Sequence, residues 1–245
     1  MEELVVAVPA RIGSTRLPRK PLIELLGKPL IGWVIEGIKT FHSKVLVATD
    51  SQEVAKVARE FGAEAVITPP ELPSGSDRVY HAVKELPCRF VINVQGDEPL
   101  VRRSHLEALY RALKGGAEFA TLAVPFGELE EVKDPSKVKV VVNSKGEALY
   151  FSRSPVPFVR DGNPKAENYL KHLGLYGYTK EALEEFVSWP VGKLEELEKL
   201  EQLRILEAGR KIKVEIVKEE LYGVDTPKDL KRVEEILKRR GSDGF

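Results

Sequence analysis

Five times between residues 4 and 125 a short run rich in β-branched residues is followed by a longer stretch with helical period, and this alternation constrains the chain more than any other feature. The runs are 4–8, 44–48, 63–68, 90–94 and 119–125. Runs 4–8 and 44–48 read as buried strands and the other three as further strands, and short apolar strands of this kind belong in a parallel sheet between helices. Helices are expected at 29–41, from Asp50 and Glu53 (a capping-box-like start) to near Phe61, from about 76 to 86, and at 104–113. Strands and helices at these spacings require right-handed crossovers. The fold class is therefore α/β.

Beyond about residue 130 the pattern changes. Segments 138–142 and 148–151 flank Asn143-Ser144-Lys145-Gly146, a hairpin signal, so an antiparallel element is appended to the parallel sheet. Residues 155–168 read as a loop or arm, and 169–178 as a short strand containing Gly174 and Gly177. Helices are expected at 180–187 and 193–208, a strand at 212–217, and a last helix starting at Val224-Asp225-Thr226-Pro227, with a frayed tail after Arg240. A length of 245 residues allows one large α/β domain.

Formal net charge is zero, so no global field attracts nucleic acid or an anionic membrane, and any anion site must be a local cluster. Cys88 is the single cysteine, and the first apolar segment is too short for a signal peptide or a membrane span; a cytoplasmic location is expected. Charged residues make up 31% of the chain against four Asn and three Gln, a bias associated with hot environments.

One loop stands out chemically. Directly after the first strand, small residues Ala10, Gly13, Ser14 and Thr15 accompany the cations Arg11, Arg16 and Lys20. Small residues let a backbone approach a ligand, and the carboxyl end of a first strand is where open α/β sheets bind ligands, so a polyphosphate suits the place. Neither a Walker A loop nor a G-x-G-x-x-G fingerprint occurs anywhere in the chain. A solvated basic loop is the plainer reading of any one of these arginines.

Two aspartates also read two ways. Asp97 follows the fourth strand, in Gln95-Gly96-Asp97-Glu98-Pro99, and is either a turn or helix-cap residue or a carboxylate facing the Arg11 loop, the arrangement for a magnesium-bound polyphosphate. Glu98 reads as a cap. Asp225 is either a helix start, shared with Thr226, or a second metal carboxylate. Ser74-Gly75-Ser76-Asp77-Arg78 reads equally as an ordinary helix start and as a reader of a base edge. In the second half, Arg153, His172, Tyr176, Glu201, Gln202 and Arg204 are the polar candidates, with a structural His172 and a Glu201–Arg204 helix pair as the plainer readings. A serine triad and a zinc site are both missing from the pattern.

Eight blocks, VPARIGSTRLPRKPL, LVATD, SGSDR, VINVQGDEPL, LYFSRSPVP, KHLGLYGY, LEQLRIL and GVDTP, resemble in order and nearly end to end the 3-deoxy-D-manno-octulosonate (KDO) cytidylyltransferase family. Asp77 departs from the pattern, where Glu is the commoner residue.

The resemblance implies a mixed sheet of nucleotide-diphospho-sugar transferase type, Rossmann-like, flanked by helices, with an antiparallel extension used for dimerisation. It implies one domain over 1–245, nucleotide-binding mainly in 1–128 and sugar-binding and dimerising mainly in 129–245. The substrates would be CTP and KDO, the products CMP-KDO for lipopolysaccharide inner-core synthesis and diphosphate, the cofactor Mg2+ and the assembly a homodimer. Arg11, Arg16 and Lys20 would hold the triphosphate; Ala10, Ser74, Gly75, Arg78 and Gln95 would surround cytidine; Asp97 and Asp225 would bind magnesium. Arg153, His172, Tyr176, Glu201 and Gln202 would line the sugar pocket, with Arg153 as the fork for the KDO carboxylate. A magnesium-lowered pKa on the anomeric hydroxyl would remove the need for a protein base. A CMP-sialic acid synthetase, a transferase acting on 8-amino-KDO, a nucleotide sensor without turnover and a nicotinamide oxidoreductase are the competing readings.

Overall fold

The computed structural model of the chain describes residues 3–13 and 17–240. In order, the elements are β1 (Leu4–Pro9), β2 (Glu24–Leu25), β3 (Lys28–Pro29), α1 (Leu30–Lys39), β4 (Val45–Thr49), α2 (Gln52–Glu60), β5 (Glu64–Ile67), α3 (Gly75–Val83), β6 (Phe90–Asn93) and α4 (Arg103–Lys114). There follow β7 (Phe119–Pro125), α5 (Leu129–Lys133), β8 (Lys139–Val142), β9 (Ala148–Ser152), β10 (Leu170–Thr179), α6 (Lys180–Ser188), α7 (Lys193–Glu198), α8 (Leu203–Glu207), β11 (Ile212–Ile216) and α9 (Pro227–Arg240). Two compact units result: Met1–Glu107 with Leu221–Phe245, and Ala108–Glu220. The last segment of the chain thus belongs with the first. Among the described residues no helix is long and apolar enough to cross a membrane.

In the first unit β1 pairs in parallel with β4 on one side and β6 on the other, and β4 pairs in parallel with β5. In β1, β4 and β6 the runs lack polar alternation because both faces are covered, with Val6, Val8, Val47, Val91 and Ile92 fully buried, whereas β5 at the edge leaves Glu64 and Ile67 exposed. On α1 the spacing of Leu30, Ile31, Val34, Ile35 and Ile38 makes one apolar stripe, and all five are buried. The strand order β6-β1-β4-β5 means that the chain moves away from β1 in one direction, then returns to its other side. That reversal opens a crevice at the carboxyl ends of β1 and β6.

In the second unit β7 lies between β10, antiparallel to it, and β11, parallel to it. The fifth expected strand therefore belongs to a mixed sheet, and only four strands form the parallel sheet of the first unit. An apolar run buried on both faces reads the same in either setting, so the strand was visible and its partner was not. The expected hairpin forms between β8 and β9. The strand expected at 169–178 forms one residue later, as β10, with the same length of ten residues, and bulges between Leu173 and Tyr176.

Two local expectations are corrected. The cap of α2 is Ser51, whose Oγ accepts from Val54 N–H, and not Asp50. The helix expected over 193–208 is two, α7 and α8, broken where Lys199 takes a left-handed φ of 54°. Helix propensity is high throughout, but the break turns Leu200, Leu203 and Ile205 inward while Leu197 stays exposed, so burial overrides propensity.

Candidate functional site

The crevice at the ends of β1 and β6 is a cavity of about 430 Å³ within the first unit. Ala10, Arg11, Lys20, Ser74, Gly75, Arg78, Gln95, Asp97 and Asp225 all line it. Of the residues expected around a nucleotide and its metal, only Arg16 is not placed there, and it lies outside the described residues.

Local structure explains the convergence. The loop after β1 is held by Ala10 N–H to the carbonyl of Ala48 (2.9 Å) and by Ile12 N–H to Asp50 Oδ1 (2.9 Å). Gly96 lets the β6 loop lie against it: a Cβ there would fall 2.9 Å from the carbonyl oxygen of Pro9, closer than real side chains come. Asp225 arrives from far along the chain because Val224 N–H donates to the carbonyl of Asp97 (2.9 Å). Behind that bond, Val224, Val233 and Leu237 bury against Leu17, Leu25, Leu30 and Leu100, a cluster that anchors α9 in the first unit.

Thr226 caps α9, accepting from Asp229 N–H, while Asp229 Oδ2 accepts from the N–H groups of Thr226 and Asp225. Asp225 therefore presents its carboxylate to Lys20 rather than to the helix start. Lys20 Nζ donates to Asp97 Oδ2 at 2.6 Å and to Asp225 Oδ1 at 2.9 Å. Burial alone would lower the pKa of Lys20, but the charge and hydrogen bond of Asp97, joined by those of Asp225, outweigh it and the net displacement is upward. The ammonium is thus fixed as a cation at the meeting point of two carboxylates.

The SGSDR segment starts a helix and also lines the cavity. Ser74 is the N-cap of α3: its Oγ accepts from Asp77 N–H and its hydroxyl donates to Asp77 Oδ2, so the Asp77 carboxylate fixes the capping hydroxyl. The same start lines the cavity with Ser74, Gly75 and Arg78. Arg78 is buried and braced by Thr68 Oγ1, by the carbonyl of Pro69 (3.2 Å) and by Asp50 Oδ2 (3.9 Å). Asp50 ties this arginine to the Ile12 loop, a role that its position at the carboxyl end of β4 could have signalled. Glu98 is not the cap of α4, which starts five residues later at Arg103.

In the second unit the sugar-pocket candidates are engaged with their own surroundings. Arg153 donates to the carbonyls of Glu198 (2.6 Å), Pro135 (2.9 Å) and Lys199 (3.2 Å), bracing the turn between α7 and α8. His172 packs edge-on to Phe151, 4.9 Å between centroids, and near Tyr176 at 5.6 Å. Its Nε2 lies 2.9 Å from Thr121 Oγ1. The single proton of that hydroxyl is best placed toward the carbonyl of Leu175 (2.8 Å), across the bulge of β10, so Nε2 is the donor and Nδ1 the bare nitrogen. Desolvation takes the His172 pKa down to about 3 and raises that of Tyr176, with Tyr178 and Glu201 adding to the latter. The guanidinium of Arg204 forks onto Glu195 at 2.6 Å for each bond. Gln202 is buried, and its Nε2 has no partner among the described residues.

Residues 5–212 match the cytidylyltransferase family. A protein of Bdellovibrio bacteriovorus named 3-deoxy-manno-octulosonate cytidylyltransferase is 45% identical, over 98% of this chain and 99% of its own. One of the same name from Syntrophobacter fumaroxidans is 44% identical over 96% of each. A solved structure described as CMP:2-keto-3-deoxy-manno-octonic acid synthetase complexed with CTP superposes with a TM-score of 0.90 at 38% identity, covering 97% of this chain and 99% of that one.

Proposed function

Since this chain belongs to the cytidylyltransferase family, alongside the 3-deoxy-manno-octulosonate cytidylyltransferases, we propose that it transfers the cytidylyl group of CTP to KDO, giving CMP-KDO and diphosphate. The observation that carries the reading is Lys20 held between Asp97 and Asp225, in one cavity with Arg11 and with the walls expected around cytidine.

Displacement at phosphorus asks a protein for charge neutralisation and in-line placement more than for covalent chemistry. Arg11, Arg16 and Lys20 hold the triphosphate oxygens in this reading, with Lys20 already charged before the nucleotide arrives. Ala10, Ser74, Gly75, Arg78 and Gln95 surround the cytidine.

Asp97 and Asp225 suit a magnesium ion: both offer hard oxygen donors, and both already converge on one cation, the Lys20 ammonium. Among the described residues no group of three or more His, Cys, Asp or Glu is placed to hold a metal, so a magnesium ion held by Asp97 and Asp225 would take its remaining ligands from water and phosphate, as Mg2+ prefers. Bound there, the ion would neutralise phosphate charge and lower the pKa of the anomeric hydroxyl of KDO.

Arg153, His172, Tyr176, Glu201 and Gln202 are assigned to KDO. The unpartnered amide of Gln202 supports this, and Arg153 keeps two of its five N–H groups for a carboxylate. We further place the reaction in the cytoplasm, in lipopolysaccharide inner-core synthesis, and expect a homodimer joined through residues 129–245. Exposed Leu149, Phe158, Val191 and Leu197 support such a contact.

The test is diphosphate release across a matrix of CTP and UTP with KDO, 8-amino-KDO and sialic acid. CTP with KDO should be fastest. Fastest turnover with sialic acid would replace the sugar assignment, and no release with any pair would remove the function.

A further inference from the structure

Asn93 is the last residue of β6, paired with Ala7 of β1, and has no exposed surface. Its amide is costly there: Nδ2 has no hydrogen-bond partner among the described residues. A leucine of nearly the same shape would avoid that penalty. What the amide does make is one bond toward the cavity, Oδ1 accepting from Gln95 Nε2 at 3.3 Å.

That bond decides which end of Gln95 faces a ligand. With its NH2 turned to Asn93, Gln95 directs Oε1 to the cavity wall at Gly75, where a Cβ on the glycine would sit 3.6 Å from it. An amide oxygen accepts and cannot donate. Cytosine carries an exocyclic amine where uracil carries a carbonyl oxygen, so an outward Oε1 pairs with cytosine and repels uracil. If both amides were turned over, Nε2 would face the cavity and the preference would reverse.

We propose that Asn93 is a positioning residue for base selection: by accepting from Gln95 it fixes the glutamine oxygen toward the exocyclic amine of cytosine and so sets the preference for CTP over UTP. The proposal rests on the cytidylyltransferase reading and deepens it.

Calorimetric dissociation constants for CTP and UTP test it, because binding is read without requiring turnover. Asn93→Leu removes the acceptor and frees Gln95 to rotate, and the UTP-to-CTP ratio of Kd should fall about tenfold or more. Asn93→Asp keeps an acceptor and has no donor, so it should hold the ratio at or above the wild-type value. Should Asn93→Leu fail to fold, Asn93→Ala reads the same loss. A wild-type ratio in the Leu or Ala variant, with both nucleotides weakened alike, would make Asn93 merely structural and overturn the proposal. The same fall in Asn93→Asp as in Asn93→Leu would also overturn it. Wild-type protein that discriminates the two bases but releases no diphosphate with any sugar acid would sink the assigned reaction and leave this inference standing.

Discussion

In the first unit the candidate residues point at one another across an open cavity; in the second they are held by their own backbone and ring neighbours. Lys20, Asp97 and Asp225 form a charged triangle with solvent access, whereas Arg153 spends three donors on carbonyls and His172 is locked by Thr121 and Phe151. The candidate site of the first unit is therefore assembled by electrostatics that a ligand can take over, and the candidates of the second unit are placed by bonds that also hold the fold. Substitutions should separate accordingly into losses of chemistry and losses of stability.

The largest effect belongs to the triangle. Asp225→Asn removes one of its two carboxylate charges but leaves the Val224 backbone tie and the Thr226 cap intact. Turnover should fall about a thousandfold or more while CTP binding changes little, as single-turnover rates and calorimetry would report. Near-normal turnover would erase the distinction between the two halves.

His172 sharpens the other side. Its folded pKa of about 3 lies below the 6.5 of an ordinary imidazole, so its contribution to stability is complete above pH 6.5 and is lost as pH falls toward 3. The loss amounts to about 1.4 kcal/mol per pH unit at most. Urea midpoints between pH 7 and 4 should drop more steeply for wild type than for His172→Gln, and parallel slopes would refute the neutral, partly buried ring.

Arg153→Lys should cost about 2 kcal/mol of stability, since one ammonium cannot replace a fork on three carbonyls. It should also raise the KM for KDO far more than for CTP. A stability loss with an unchanged KDO KM would leave Arg153 as a brace alone.

The smallest contrast lies within the first unit. Ser51→Ala should cost about 1 kcal/mol and leave the KM for CTP as it was, because it removes only a helix cap. Asp50→Ala, one residue away, should raise the KM for CTP by releasing Ile12 and Arg78. Equal KM effects would show that the loop is not held as described.

These contrasts also mark what the sequence could reveal. The strands of the parallel sheet and the loop of Arg11 and Lys20 were legible because burial on both faces and strand-end position leave local signatures. The pairing of Asp225 with Asp97 was not, because it depends on a backbone bond and an apolar cluster contributed by distant segments. The break at Lys199 leaves no local signal because helix propensity is high on both sides of it, and Ser51 caps α2 because its neighbour Asp50, an equally good cap by residue type, is engaged by Ile12 and Arg78. Asn93 and Gln95 sit two apart on a strand end, the period that places both side chains on one side, and that was the available clue.

The most direct measurement is a crystal structure with Mg2+ and a CTP analogue that cannot release diphosphate. The account predicts the α-phosphorus between the Lys20 side chain and the carboxylates of Asp97 and Asp225, with the base against Gln95. A triphosphate seated away from those carboxylates would contradict it.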